Sequence, residues 1–327
     1  MKFLIIGAGA WGTAFAVHLK RIGHEITVVC KDEKEKSAIV ELGENKAKLP
    51  GVKVKGIQFI SPQEAPEKTD VSVVALPSHV FKEGLENLTV TAPVWISLAK
   101  GMVVQTHETP CETLKKILHA KKQNKVSIFC LSGPAHAGSV AQGLPCAMVL
   151  SGKGRGAQLQ EAISSPTMRI YASKDQRGAE LGGALKNAFA VAAGVCDGLG
   201  MGDNAKAGLL SRALAEMTRL GVALGGKLRT FFGLTGVGDL MATAYGPWSR
   251  NRQLGERVAK GEKAAWLVGE GGLTAEGYRA SRGLLDLARK KRIDAPILEQ
   301  LVAILHEGKD PRRAMQELMG RPLKKEH

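Results

Sequence analysis

Short apolar runs recur through the first half of the chain, separated by polar turns that contain glycine or proline. Lys2–Ile6 is such a run, suited to a buried parallel strand. Thr13–Ile22 carries apolar residues at helical spacing, and Gly23 is placed to close that helix. Glu25–Cys30, Val71–Leu76, Val94–Leu98 and Val126–Leu131 repeat the strand pattern, and Val71–Leu76 stops at Pro77. The two later runs lead into the turns Ala99-Lys100-Gly101 and Ser132-Gly133-Pro134. Ala147–Leu150 and Arg169–Tyr171 read as added edge strands. Strand, turn and helix repeated in this way predict an α/β N-terminal domain of the Rossmann type, a doubly wound, mostly parallel sheet covered on both faces.

The texture changes near Gln176. Ala179–Cys196 is rich in Ala, Gly and Leu without a turn cluster, and predicts a long buried helix whose small residues allow close packing. Ala207–Leu224, Arg252–Lys260, Thr274–Lys290, Ile297–His306 and Pro311–Leu318 also read as helices, so the second half is expected to be an all-α C-terminal domain. At 327 residues the chain exceeds what one core usually serves. The expected domains are 1–177 and 178–327, and the default ligand position is a cleft between them.

Composition adds less. Hydrophobic residues make up 44% and charged residues 24%, which excludes a mainly disordered chain. The formal charge of +15 attracts acidic partners. Most of it reads as dispersed surface charge, because the basic runs (Lys121-Lys122, Arg289-Lys290-Lys291-Arg292, Lys324-Lys325) are short and lack interleaved aromatics. A nucleic-acid groove is therefore not expected. The five cysteines form no CxxC pair, which argues for a reducing, cytoplasmic setting and against a disulfide framework or zinc site. The histidines are scattered, so no metal is expected. The N-terminal apolar run is too short for a signal peptide, and no stretch reaches the about 20 apolar residues of a membrane span.

Gly7-Ala8-Gly9-Ala10-Trp11-Gly12 matches GxGxxG between a strand and a helix, the context in which that pattern binds a dinucleotide. Gly7 makes the tight turn, Gly9 lets a pyrophosphate approach the backbone, and Gly12 lets helix and strand pack. The helix N-terminus, with Ala10 and Trp11 in its first turn, favours the negative charge. The end of the second strand reads the adenosine ribose. Cys30 at that place is not acidic. Lys31 could meet the 2′-phosphate of NADP, Asp32 the 2′-hydroxyl of NAD, or both could face solvent. The balance leans to NADP, with dual use open.

Six further motifs follow in order: Ser97-Leu98-Ala99-Lys100-Gly101, Ser132-Gly133-Pro134, Leu185-Lys186-Asn187, Asp197 to Ala207, Gly236-Val237-Gly238-Asp239-Leu240, and Ser249-Arg250-Asn251-Arg252. Together, from Ile5 to about Pro296, they closely resemble the bacterial NAD(P)-dependent glycerol-3-phosphate dehydrogenases. The resemblance implies reversible hydride transfer between NAD(P)H and C2 of dihydroxyacetone phosphate, giving sn-glycerol 3-phosphate for glycerophospholipid synthesis. It implies Lys186 as the catalytic lysine, exchanging a proton with the substrate oxygen. Lys100 would contact substrate, and its charge would help depress the Lys186 pKa and stabilise the developing alkoxide. Asp239 would orient the active lysine, with Thr243 one turn further on the same face.

The resemblance assigns Ser249, Arg250 and Asn251 to the phosphate side, Asn187 and Gly133 to substrate, and Ala137, Val268 and Glu270 to the cofactor. Bidentate, charge-assisted bonds suit Arg250 for either the substrate phosphate or the cofactor pyrophosphate. A homodimer is the expected assembly. Plainer readings stand beside these: Lys186 could snorkel to water, Asp239 could cap the helix that starts at Leu240, and Asn204 could cap another.

The chain also departs from the family. Ala135 stands where the family often has a hydroxyl or amide, His136 where it usually has an aromatic, and Ser139 near a family glutamate. The family's Asn-x-x-Tyr-Leu-Pro appears as Asn45-Lys46-Ala47-Lys48-Leu49-Pro50, and the missing tyrosine weakens the role expected of that loop. Two other readings are weighed. A β-hydroxyacid or ketopantoate-type dehydrogenase would not need the Ser249-Arg250-Asn251 segment. A non-catalytic nucleotide-sensing module would not need Lys100, Lys186 and Asp239 together.

Overall fold

The computed structural model describes residues 1–77, 80–101, 108–323 and 325–326; Lys324, of the last basic pair, lies outside them. The chain divides into two compact units, Met1–Glu180 and Leu181–His327.

The first unit contains β1 (Lys2–Ile6), α1 (Ala10–Arg21), β2 (Glu25–Val29), α2 (Glu33–Leu42), β3 (Gln58–Ile60), β4 (Val71–Val74), α3 (Glu83–Glu86) and β5 (Val94–Ser97). It continues with α4 (Pro110–Ala120), β6 (Ser127–Ser132), α5 (Ala137–Gln142), β7 (Cys146–Gly152), α6 (Gly156–Ile163) and β8 (Met168–Ser173). The eight strands form one sheet in the order β3-β2-β1-β4-β5-β6-β7-β8. All neighbouring strands run parallel except the antiparallel β6–β7 pair.

The buried runs do what their continuous hydrophobicity predicts. Leu4 and Ile6 face one apolar layer, while Phe3 and Ile5 face the other. β1 sits between β2 and β4, where the strand order reverses, so the Gly7–Gly9 turn opens at the crevice that such sheets use for ligands. Its entry is tied down by the Gly7 N–H, which donates to the Val29 carbonyl at 3.0 Å.

One expectation at the sheet margins is corrected, and one strand there was missed. Ala147–Leu150 is not an edge strand: it lies within β7, which pairs with β6 on one side and β8 on the other. The second edge is β3, whose three residues are too few to show a period. Short connecting helices α2, α4, α5 and α6 also escaped the pattern. At the head of α2, Glu33-Lys34-Glu35-Lys36 carries no apolar stripe, and Ile39 is its one buried side chain.

The helix α7 (Gln176–Gly198) leads into α8 (Gly202–Ala223), α9 (Leu228–Phe231), α10 (Asp239–Tyr245), α11 (Arg250–Ala259), α12 (Ala264–Val268), α13 (Glu276–Lys290), α14 (Pro296–Glu307) and α15 (Pro311–Met319). The small residues of α7 bring α11 to backbone distance: a Cβ at Gly194 would stand 2.0 Å from the Arg252 carbonyl oxygen, and one at Gly255 would stand 2.0 Å from that of Val191. No helix among the described residues is long and apolar enough to cross a membrane.

Candidate active site

In the first unit, the glycine turn fits a dinucleotide. A Cβ at Gly12 would lie 2.2 Å from the Gly7 oxygen, whereas one at Gly9 would meet nothing within 4 Å. The turn is thus tight against its own strand and open on the outer side. α1 has no side-chain cap and no acidic residue in its first turn, where Ala10 and Trp11 lie. Backbone N–H groups and the positive helix end there suit an anion supplied from outside the chain. By contrast, α2 is capped by Asp32, which accepts from the Glu35 N–H at 2.8 Å.

Glu35 returns to accept from the Lys31 N–H at 2.7 Å. Asp32 and Glu35 therefore both serve the head of α2, while the Lys31 side chain is exposed. Cys30 is buried, and desolvation, followed by the Glu35 and Asp32 charges, pushes its thiol up to about 12, so it offers the ribose no charge.

The ends of β5 and β6 are joined by Lys100, whose Nζ donates to the Gly133 carbonyl at 2.8 Å. Ala137 opens α5, and His136 just before it faces Ser139 across 3.3 Å, Nδ1 to Oγ. Two of the three departures in that loop are thus neighbours in one turn.

In the helical unit, Lys186 is 5% exposed and does not snorkel to solvent. Its Nζ donates to Asp239 Oδ1 at 3.1 Å and to Thr243 Oγ1 at 2.7 Å. The Thr243 Oγ1 in turn lies 2.6 Å from the Asp239 carbonyl oxygen, one helical turn back. Asp239 does not act as a cap: α10 begins at Asp239 itself, after a short π-helical turn over Leu234–Gly238. The π turn sets Asp239 and Thr243 on one buried face, and both are 2% exposed.

A second buried cluster holds the following segment. Asn251 Nδ2 donates to Asn187 Oδ1 at 2.9 Å, and Asn251 Oδ1 accepts from the Gly277 N–H at 2.9 Å. Ser249 caps α11 by accepting from the Arg252 N–H. Arg250 is exposed in the first turn of α11. Val268 ends α12, and Glu270 just beyond accepts from Trp266 Nε1 at 3.2 Å. Asn204 does not cap α8: it is exposed within the first turn, and Met201 occupies the cap position.

Sequence reasoning missed a third cluster. Asp197 Oδ2 accepts from Lys206 Nζ at 2.7 Å and from Arg252 Nε at 2.6 Å, and the Lys206 ammonium lies 4.3 Å from the Tyr245 ring centroid. The signal available in the sequence was an acid and a lysine, Asp197 and Lys206, within one motif of mostly small residues.

Residues 2–157 match the model of the NAD-dependent glycerol-3-phosphate dehydrogenase N-terminus, and residues 175–316 match that of its C-terminus. The chain belongs to this dehydrogenase family. It is 40% identical to the glycerol-3-phosphate dehydrogenase (NAD(P)+) of Thermoanaerobacter sp. (strain X514), covering 100% of this chain and 99% of that one. Identity to the Thermus thermophilus protein of the same name is also 40%, over the full length of both. The crystal structure of glycerol-3-phosphate dehydrogenase from Coxiella burnetii superposes with a TM-score of 0.89 at 31% identity, covering 98% of this chain and 99% of that one. A ketopantoate reductase from Ralstonia eutropha shares the fold at a TM-score of 0.60 and 17% identity. In this chain Lys186, Asp239 and Thr243, spread over more than fifty positions, meet in one buried cluster.

Proposed function

We propose that the protein catalyses reversible hydride transfer between NAD(P)H and C2 of dihydroxyacetone phosphate, forming sn-glycerol 3-phosphate. The observation that carries this reading is the buried Lys186, with Nζ held by Asp239 Oδ1 and Thr243 Oγ1. Reduction of a ketone leaves charge on its oxygen, and a positioned lysine can both stabilise that charge and deliver the proton. Bound NAD(P)H supplies the hydride. Lys186 is the proton donor in reduction and the acceptor in oxidation, and Asp239 and Thr243 hold its Nζ in place.

Lys100, Gly133, Asn187, Ser249, Arg250 and Asn251 make up the substrate side in this proposal. Asn187 and Asn251 act by bracing the head of α11, from which the Arg250 guanidinium meets the phosphate. The turn from Gly7 to Gly12 and the first turn of α1 hold the pyrophosphate, with Lys31, Ala137, Val268 and Glu270 as further cofactor contacts. Lys31 is exposed while Asp32 and Glu35 are engaged in capping, which supports NADPH as the better cofactor. The domain border is placed at 177/178, the assembly is a homodimer, the setting is the cytoplasm, and the product enters glycerophospholipid synthesis.

Four assays test the core of this: oxidation of NADPH and of NADH, each with dihydroxyacetone phosphate and with dihydroxyacetone. The phosphate is the main handle for orienting so small a substrate, so its removal lowers both kcat and apparent affinity. Arg250→Ala narrows the gap between the two substrates. If that variant keeps the full preference for the phosphate while losing NAD(P)H affinity, Arg250 belongs to the cofactor pyrophosphate. No turnover of dihydroxyacetone phosphate with either cofactor overturns the reading.

A further inference from the structure

Asn45 belongs to the loop whose family tyrosine is missing, yet it is among the most buried polar residues, at 2% exposure. Its Nδ2 donates to the Ala8 carbonyl at 2.7 Å and to Thr13 Oγ1 at 2.9 Å. The amide orientation is set by chemistry, because a carbonyl only accepts. Ala8 is the second residue of the glycine fingerprint, and Thr13 lies in α1 with no exposure at all. Asn45 is itself anchored. Its own carbonyl accepts from the Leu49 N–H at 2.8 Å, and Leu49 is packed into the same apolar layer as Ala8. On its other side the Gly43 carbonyl accepts from Val54 N–H at 3.1 Å.

From this geometry we infer that Asn45 is a positioning residue for the cofactor, orienting the Ala8–Gly9 peptide so that the Gly9 N–H faces the pyrophosphate. In a trans peptide the C=O and the following N–H point in opposite directions. Holding the Ala8 oxygen inward on the Asn45 amide therefore directs the Gly9 N–H outward. The outer side of Gly9 is open, as the empty space around its would-be Cβ shows. Without the amide, the Ala8 carbonyl is held only by the Thr13 hydroxyl at 3.5 Å. The peptide could then rotate and present a carbonyl oxygen, rather than an N–H, to an anion. The missing tyrosine does not remove this role, because the side chain of Asn45 alone performs it.

The inference rests on the cofactor reading above, and its test separates the two. Dissociation constants are measured for NADPH, NADH, ADP-ribose and adenosine with wild type, Asn45→Ala and Asn45→Asp, with thermal melting recorded alongside. Loss of a buried bond and of the orientation it imposes is expected to weaken NADPH, NADH and ADP-ribose roughly ten- to hundredfold. Adenosine, which has no phosphate, changes by less than about threefold, and kcat at saturating cofactor changes as little. Lowered melting temperature with unchanged dissociation constants overturns the inference, as does an equal loss for adenosine and ADP-ribose. If the Asn45 variants do not fold, the near-isosteric Thr13→Val removes one of the two oxygens that hold the amide. It should weaken ADP-ribose several-fold, and an unchanged constant overturns the inference. A wild-type protein that binds neither NADPH nor NADH overturns the cofactor reading itself, and the inference with it.

Discussion

Asp239 and Glu216 are both carboxylates buried in the helical unit, at 2% and 1% exposure, and they show two different uses of the same group. Asp239 faces an ammonium on a long side chain, Lys186. Glu216 faces the backbone: its two oxygens accept from the Ile297 and Leu298 N–H groups at 3.0 and 2.9 Å, at the head of α14. Desolvation dominates there and pushes the Glu216 carboxyl up to about 7, against the lowering by those two N–H groups. A buried charge by itself therefore does not mark a catalytic position. What separates the pair is the partner: a peptide N–H cannot exchange its proton with a substrate, whereas a lysine ammonium can.

The comparison is tested most strongly at Lys186. Lys186→Ala removes the proposed proton donor and the ammonium that faces Asp239 Oδ1. Steady-state assays with dihydroxyacetone phosphate should show kcat reduced by roughly 10²–10⁴-fold, with NAD(P)H binding largely intact. Near-normal turnover in that variant would place Lys186 with Glu216, as a structural group.

Glu216→Gln should behave in the opposite way, keeping turnover and changing how stability depends on pH. The folded protein holds the Glu216 proton up to about 7, while the unfolded chain releases it near 4.5. Its contribution is thus fully present below 4.5 and is lost as pH rises through about 7. The shift corresponds to about 3 kcal/mol. Denaturation midpoints measured from pH 4.5 to 8 should fall with rising pH in the wild type, and less steeply in Glu216→Gln. Some slope remains in the variant, because Glu180 in the first unit, also raised to about 7 mainly by burial, responds in the same direction. An unchanged slope would mean that Glu216 is ionised in the fold across this range.

The smallest effect is expected at Thr243, which supports Lys186 without exchanging its proton. Thr243→Val removes the 2.7 Å bond to Nζ and keeps the side-chain shape. A loss of about tenfold in kcat, with the melting temperature little changed, corresponds to one hydrogen bond to a charged group. A stability loss without a kinetic one would move Thr243 to the structural side.

Much of this was legible along the chain. Buried parallel strands announce themselves by continuous apolar runs, so β1, β2, β4, β5 and β6 stood at or within a residue or two of their observed limits. The polar α2 did not, since a cap, Asp32, rather than an apolar stripe starts it; the short α4 carries both a buried face (Cys111, Leu114, Leu118) and a Thr109–Glu112 capping box, and was nonetheless missed. Among the candidate site residues, Lys186 and Asp239 were named from motif resemblance, which also set Asp239 to orient the lysine, and Thr243 from its spacing one helical turn beyond Asp239; which atom of each meets which was not visible along the chain.

The sequence by itself determined the alternation of strand, glycine turn and helix, the dinucleotide fingerprint and the identity of the catalytic candidates. These are local properties, written in periodicity and in residue chemistry. Tertiary structure decided which polar groups act on which. It turned Ser249 into a helix cap, set Asn251 between Asn187 and Gly277, and gave Glu216 to the head of α14. It also returned the Asn45 loop to the glycine turn, thirty-seven positions earlier. The physical reason is that a buried polar atom must find its partner wherever packing puts one, at any separation along the chain. Residue type states what a side chain can donate or accept, and only the fold states to whom.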